Sequence, residues 1–417
     1  MEAFRVEGGV RLQGALRVDS AKNAVLPIMA AAVMADSPVT LRDVPNISDA
    51  NHMAEILSML GCSTKRQGRT LTIDSMTMRR WEAPERLSKQ IRSSIFLLGP
   101  ILARFRKAMM TYPGGCEIGL RPIDLHLNGL RSLGVKISEA GGLIDCDGSA
   151  MHAGEVHFDY PSVGATENVM MAAVLLPGTT VIHNAAREPE IVDLQRFMNA
   201  MGAKVRGAGS HYIEIEGVPA LHGTEWTPMP DRIVAGTLLA AAAITGGEIE
   251  LTNAPESDMV AVCSKLREMG CRLDEEPGFL YLKAPERLQA FRQLQTQPHP
   301  GFPTDMQVQM LALLCVAEGM GVIVENVFEN RFTHAGDLNR MGAQVMCSGR
   351  TAVVRGVEKL YGADVTARDL RGGAALVLAG LRAEGVTTVE GVALIDRGYD
   401  ALEHQLAALG ARIARME

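Results

Sequence analysis

Apolar and polar positions follow two patterns along this chain, and the patterns alternate. In the first, apolar residues occupy nearly every position of a helical stretch: "NAVLPIMAAAVMA", "RSSIFLLGPILAR", "TENVMMAAVLLPG", "RIVAGTLLAAAAITGG", "DMQVQMLALLCVAEG" and "GGAALVLAGLRAEG". A helix with no polar face must be buried on most sides. In the second, apolar and polar residues alternate with period two on either side of a Gly- or acid-containing turn, which predicts β-hairpins.

The hairpins recur. "LGCSTKRQGRTLTID" begins at Leu60, "LGVKISEAGGLIDCDG" at Leu133, "MGAKVRGAGSHYIEIEG" at Met201, "MGCRLDEEPGFLYLKA" at Met269, "MGAQVMCSGRTAVVRG" at Met341 and "LGARIARME" at Leu409, with spacings of 73, 68, 68, 72 and 68 residues. Such regularity marks a repeat architecture. Each copy opens with Leu-Gly or Met-Gly, where the glycine is the expected helix C-cap because a positive φ carries no side-chain clash there. The unit therefore reads as buried helix, strand ("VIHNA", "EIELTNA", "GVIVENV", "TTVEGV"), polar loop, amphipathic helix and hairpin. Six units divide into two domains of three. The opening "FRVEGGVRLQGALRVDS" reads as the hairpin that the shortened last unit lacks. The expected domains are 20–230, and 1–19 together with 231–417. A linear solenoid fits less well, because its helices face solvent.

The 417 residues exceed one ordinary core, and 47% hydrophobic with 21% charged residues is a globular composition. A net charge of −7 excludes a general nucleic-acid surface, so any anionic ligand must be held by locally placed cations. No apolar run reaches the ~18 residues of a membrane span, and no secretory signal pattern opens the chain. Seven cysteines without a C-x-x-C exclude a disulfide framework or zinc site, giving the expectation of a cytoplasmic protein with reduced thiols.

Charged residues gather where the apolar helices begin and in the loops after the following strands. Helix starts carry Lys22 and Asn23, Arg92, "VGATEN" (163–168), Asp231 and Arg232, Asp305, and Asp369 with Arg371. The loops carry Arg121, "AAREPEI", Glu329 and Arg331, and Asp396 with Arg397. Helix N-termini present unpaired N–H groups and a positive dipole, suited to phosphate or carboxylate. One such cation is more often a cap or surface ion pair; recurrence at equivalent repeat positions is what points to a ligand. If the two domains face each other through these ends, one cleft collects Lys22, Arg92, Arg121, Arg331, Arg371 and Arg397 and draws in polyanions. The stretch "TYPGGCEIGLRPID" (111–124) sets Cys116 behind two glycines on a loop, with Arg121 nearby. That placement suits a thiol able to act as nucleophile or general acid. The other six cysteines sit in helix or strand patterns and read as buried, inert hydrophobes. His126 reads as a capping or packing residue.

Taken together, "AKNA" (21–24), "PGGCEIGLRPIDLH" (113–126), "SVGATEN" (162–168), "NAAREPEIVD" (184–193), "PDRI" (230–233), "PHPGFPTDMQ" (298–307), "ENVFENRF" (325–332), "ARDL" with Arg371 (367–371) and "IDRGY" (395–399) resemble the UDP-N-acetylglucosamine 1-carboxyvinyltransferase family along the whole chain. The resemblance implies an α/β fold of two similar domains, each of three βαβαββ units around buried helices. It implies transfer of the enolpyruvyl group of phosphoenolpyruvate to the 3-hydroxyl of UDP-N-acetylglucosamine, with no metal or organic cofactor. It makes Cys116 the general acid and Asp305 the residue at the reacting hydroxyl. Lys22, Arg121 and Arg397 become phosphate-binding cations, and Arg331 and Arg371 carboxylate-binding ones. Asn23 and Arg92 take ligand contacts; Arg121, Pro122, Ile123, Asp124 and Leu125, Ser162, Val163 and Gly164, and Val327 line the uridine and diphosphate pocket. Phe96 stands where many relatives have Trp, and Tyr160-Pro161 depart from the pattern before "SVG". Two rivals remain at this stage: a catalytically idle UDP-sugar-binding paralogue, and 5-enolpyruvylshikimate-3-phosphate synthase, whose equivalent loop has no cysteine.

Overall fold

The computed structural model describes residues 2–114 and 123–416, so Cys116, Arg121 and Pro122 lie outside the described residues. The chain divides into a first unit, residues 20–114 and 123–229, and a second, residues 2–19 and 230–416. Among the described residues no helix is long and apolar enough to cross a membrane.

Among the described residues each unit contains three sheets. In the first unit their strand orders are Glu225–Trp226, Val39–Leu41, Thr70–Asp74, Ser63–Gln67; then Lys107–Thr111, Leu143–Asp147, Lys136–Ala140; then Glu155–His157, Thr179–His183, Tyr212–Glu216, Lys204–Arg206. In the second they are Gln13–Arg17, Glu248–Thr252, Phe279–Lys283, Arg272–Glu276; then Gln293–Gln295, Met320–Val324, Thr351–Arg355, Gln344–Ser348; then Asp364–Thr366, Val386–Glu390, Ala3–Glu7, Arg412–Met416. In each four-stranded sheet the first pair is parallel and the remaining pairs are antiparallel.

The repeated Leu/Met-Gly has one physical origin. Gly61, Gly134, Gly202, Gly270, Gly342 and Gly410 all have φ between 84° and 101°. At each, the glycine N–H donates to the carbonyl three residues back, and the next N–H donates to the carbonyl five back, as in Gly342 N to Asn339 O and Ala343 N to Leu338 O. This is the Schellman arrangement, and it comes with an apolar contact between the residue after the glycine and one in the last helical turn. Cys62 and Cys271 fill that apolar place, which explains why two of the thiols are buried.

The apolar helices are buried as their composition demands. In the second unit Arg232–Thr245, Thr304–Val316 and Leu370–Arg382 pack against one another, with the sheets outside them. In the first, Leu98–Phe105 packs on Val163–Ala173, and Lys22–Ala31 on the 3₁₀ turn Arg92–Leu97.

Three sequence readings need correction or completion. The opening residues do not form a hairpin. Ala3–Glu7 inserts between Val386–Glu390 and Arg412–Met416, supplying the returning strand of the last unit, while Gln13–Arg17 joins a different sheet beside Glu248–Thr252. The reason lies at Gly8 and Gly9, whose N–H groups donate to Gly385 O and Leu381 O; a Cβ on Gly8 would stand 2.1 Å from Ala383 O. That close approach carries the chain past the helix end instead of turning it back. Secondly, Cys347 is exposed although it shares a face with buried Val345, because it lies near the end of the outer strand Gln344–Ser348, whose last three residues are all exposed. Cys62, Cys146, Cys263, Cys271 and Cys315 are buried, and burial pushes their thiols up to about 12. Thirdly, the parallel edge strands Glu155–His157, Glu225–Trp226, Gln293–Gln295 and Asp364–Thr366 had no sequence signal, whereas Gln13–Arg17 was read as a strand. Gln13–Arg17 precedes the 22–31 helix yet belongs to the second unit, and Glu225–Trp226 precedes the 232–245 helix yet belongs to the first.

Candidate active site

In the second unit the starts of the buried helices are capped by aspartates. Asp231 Oδ1 accepts from Ile233 N (2.8 Å) and Val234 N (3.0 Å), and Asp369 Oδ1 from Arg371 N (3.0 Å) and Gly372 N (2.9 Å). These caps satisfy orphan N–H groups of the first turn. Asp305 is different: it lies inside the first turn of Thr304–Val316, and its carboxylate reaches sideways. Asp305 Oδ1 accepts from Arg331 Nη2 at 2.7 Å and Oδ2 from Arg371 Nη2 at 3.2 Å. Three segments distant in sequence thus meet at one carboxylate, which is 26% exposed while both arginine side chains are 3% exposed.

The two guanidiniums are not fully used. Arg331 Nε and Arg371 Nε and Nη1 are buried without a hydrogen-bond partner among the described residues. Arg371 also lies over the Tyr399 ring at 5.2 Å, and Arg331 near the Phe328 ring at 5.5 Å. Burial opposes the Arg371 charge, but Tyr399, Asp305 and Asp231 favour it and raise its pKa. Planar, permanently charged donors with N–H groups to spare are suited to carboxylate or phosphate.

Two further residues shape this cluster, and sequence reasoning missed both. Glu325, fully buried, accepts from Thr296 Oγ1 (2.8 Å), Thr304 Oγ1 (2.9 Å), Val327 N (2.8 Å) and Phe328 N (3.1 Å). It therefore ties the 325–328 turn, which carries Val327, to the residue before Asp305. Its only signal was one acid within "ENVFENRF". His334, just before the helix Ala335–Arg340, is buried with both ring nitrogens unpartnered. Burial, aided by Arg331 and opposed by Asp369 and Asp337, lowers its pKa to about 4, so the ring is neutral. Arg397 is half-buried in the turn after Val392–Ile395.

In the first unit Lys22 opens the helix Lys22–Ala31, beside Asn23, and its Nζ lies 2.8 Å from Oδ2 of buried Asp49. Arg92 opens Arg92–Leu97, half-buried, and burial lowers its pKa. Ser162 caps Val163–Ala173 by accepting from Ala165 N (3.4 Å), so Val163 and Gly164 form its first turn. Gly164 lies against His126 and Phe96. His126 Nδ1 accepts from Asn168 Nδ2 at 2.8 Å, a packing role. Ile123 is buried, Asp124 exposed and Leu125 half-buried at the start of Asp124–Ser132. Glu167, also unforeseen, is fully buried with neither carboxyl oxygen hydrogen-bonded. Burial first, then Glu190 and Glu188, push its pKa well up. Among the described residues no group of three or more His, Cys, Asp or Glu is placed to hold a metal ion.

The family model of EPSP synthase (3-phosphoshikimate 1-carboxyvinyltransferase) matches residues 6–406. The fold is shared with the enolpyruvyl transferase NikO from Streptomyces tendae, at a TM-score of 0.90 and 26% identity, covering 100% of this chain and 99% of that one. The class is therefore that of the enolpyruvyl transferase fold. UDP-N-acetylglucosamine 1-carboxyvinyltransferase 1 of Symbiobacterium thermophilum is 52% identical, covering 100% of this chain and 95% of its own. UDP-N-acetylglucosamine 1-carboxyvinyltransferase 2 of Caldanaerobacter subterraneus subsp. tengcongensis is 49% identical, with both chains covered completely. The chain belongs to the UDP-N-acetylglucosamine 1-carboxyvinyltransferase family.

Proposed function

We propose that this chain transfers the enolpyruvyl group of phosphoenolpyruvate to the 3-hydroxyl of UDP-N-acetylglucosamine in the cytoplasm, the first committed step of peptidoglycan synthesis. The C–O bond between phosphoenolpyruvate C2 and its phosphate breaks, a bond from C2 to the sugar oxygen forms, and inorganic phosphate leaves. The observation that carries this reading is full-length identity of about half to transferases of that name.

The residues are assigned roles accordingly. Asp305 accepts the hydroxyl proton and Cys116 protonates the methylene carbon as the double bond is attacked; loss of a proton from the resulting methyl group together with phosphate restores the double bond. Arg331 and Arg371, with their spare N–H groups, hold the carboxylate; Lys22, Arg121 and Arg397 hold the phosphate as its charge grows. Asn23 and Arg92 add ligand contacts. Residues 121–125, Ser162, Val163, Gly164 and Val327 hold the nucleotide, where first-turn N–H groups suit a diphosphate. In this reading residues 20–230 form one domain, and 1–19 with 231–417 the other.

Phosphate release from phosphoenolpyruvate and UDP-N-acetylglucosamine tests the proposal. Turnover that requires both substrates, and that is lost when a small phosphonate epoxide alkylates Cys116, supports it. Retained UDP-sugar binding without turnover would identify an idle binder instead, and turnover with shikimate 3-phosphate as acceptor would overturn the acceptor assignment.

A further inference from the structure

Arg415, in the strand Arg412–Met416, makes a dense set of contacts, one of them to Glu403 in the first turn of the helix Leu402–Ala408. Its Nη1 and Nη2 grip Asp396 in a two-pronged fork, to Oδ2 at 2.8 Å and Oδ1 at 2.7 Å. Its Nε donates to Glu403 Oε1 at 2.8 Å, and Nη1 also to Glu2 Oε2 at 3.0 Å. The guanidinium lies 5.1 Å from the ring centroid of Phe4, its directly opposed neighbour on the adjoining strand. One cation thus holds three carboxylates together. Without it, Asp396, Glu403 and Glu2 would repel one another, and Glu403 is nearly buried.

The position of Asp396 gives this cluster its meaning. Asp396 N donates to Val392 O (3.0 Å), and Gly398 N and Tyr399 N to Ile395 O (3.1 and 3.2 Å), so residues 395–399 form one compact turn. At its far end Tyr399 is buried, its hydroxyl 2.9 Å from Thr237 Oγ1 and 3.4 Å from Gln309 Nε2. The turn is pinned at Asp396 on one side and at Tyr399 on the other, and Arg397 is carried between the pins.

We propose that Arg415 is a positioning residue for Arg397: by gripping Asp396 it fixes the turn from which the Arg397 guanidinium reaches the phosphate of phosphoenolpyruvate. The proposal rests on the phosphate-binding reading of Arg397 given above. A bidentate fork orients its partner as well as attracting it, which a single-point ammonium cannot do.

The test is steady-state kinetics of the full chain with both substrates. Arg415→Met is expected to raise KM for phosphoenolpyruvate roughly 10-fold, since small misplacements of a binding cation are costly, and to leave KM for UDP-N-acetylglucosamine within about 2-fold. Arg415→Lys should recover part of the loss. On an Arg397→Lys background Arg415→Met should add nothing, because the group being positioned is already altered. Asp396→Asn, which weakens the fork without changing size, should give the same KM pattern if Arg415→Met does not fold. An unchanged KM for phosphoenolpyruvate in both Arg415→Met and Asp396→Asn, alongside an impaired Arg397→Lys, overturns this proposal alone. So does an equal rise in both KM values with additive losses in the double variant, the mark of general destabilisation. An Arg397→Lys variant with a normal KM for phosphoenolpyruvate overturns the role of Arg397, and this inference with it.

Discussion

Replacing Asp305 by alanine should destabilise the second unit as well as impair chemistry. The substitution leaves Arg331 and Arg371 facing each other, each buried and neither able to lose its proton at ordinary pH. Removing one partner of a buried ion pair typically costs 3–5 kcal/mol, and here one carboxylate serves two cations. Because Asp305 itself is a quarter exposed, water can enter the vacated space, so we place the loss at about 3 kcal/mol. For a unit of this size each kcal/mol lowers Tm by about 2–4 °C, giving a fall of roughly 6–12 °C. Asp305→Asn keeps an acceptor oxygen and should lose about half as much. Calorimetry at low ionic strength, with and without inorganic phosphate, is the assay. An anion that settles between the arginines should raise the Tm of Asp305→Ala more than that of the unsubstituted chain. A variant melting within about 1 °C of the parent, or equally stabilised by phosphate, would refute the reasoning that the three side chains form one electrostatic unit.

Glu167 has a carboxyl held well above its usual range by burial and by Glu190 and Glu188. The folded state keeps a proton that the unfolded state releases, so stability should fall as pH rises above about 4.5, and Glu167→Gln should flatten that fall in urea titrations across pH. For His334, lowered to about 4, the sign reverses: the unfolded chain takes up a proton near pH 6.5 that the folded chain refuses. Stability should therefore drop by up to about 3 kcal/mol between pH 6.5 and 4, and His334→Phe should remove that slope; parallel pH profiles for the two proteins would count against it. Gly342→Ala forces a side chain onto φ +94° with Tyr361 Cδ2 3.2 Å away. It should lose about 1–2 kcal/mol by chemical denaturation, and an unchanged midpoint would show that the cap tolerates a Cβ.

How much of this could be read from the amino acids alone differs between fold and site. The Leu/Met-Gly period was legible because one backbone conformation at each helix end admits little but glycine. The six central helices were legible because none has a polar face. Glu225–Trp226 and Gln293–Gln295 were not, since two or three residues of alternation look like any loop. The opening strands were read as extended correctly but paired wrongly, because alternation names a face and never a partner. At the site, Asp305 and Arg371 stood out as charges at helix starts, whereas their meeting with Arg331 depends on three segments converging. Glu325 and Glu167 escaped notice because an acid that will be buried looks the same as one that will be solvated. Cys347 was misread for the converse reason: alternation puts it on the face of buried Val345, but the end of an outer strand is exposed on both faces.

The placement of residues 3–7 and 13–17 has a consequence for biosynthesis. These strands leave the ribosome before every other described strand, yet their neighbours lie at 248–252, 386–390 and 412–416. At about 5–20 residues per second the leading strand waits roughly 20–80 s for its last neighbour. Meanwhile the first unit is closed as soon as Glu225–Trp226 emerges to join Val39–Leu41. One half of the molecule is thus finished while the other still trails an unmatched leader, and a fragment starting at residue 230 would lack two strands that no downstream sequence replaces.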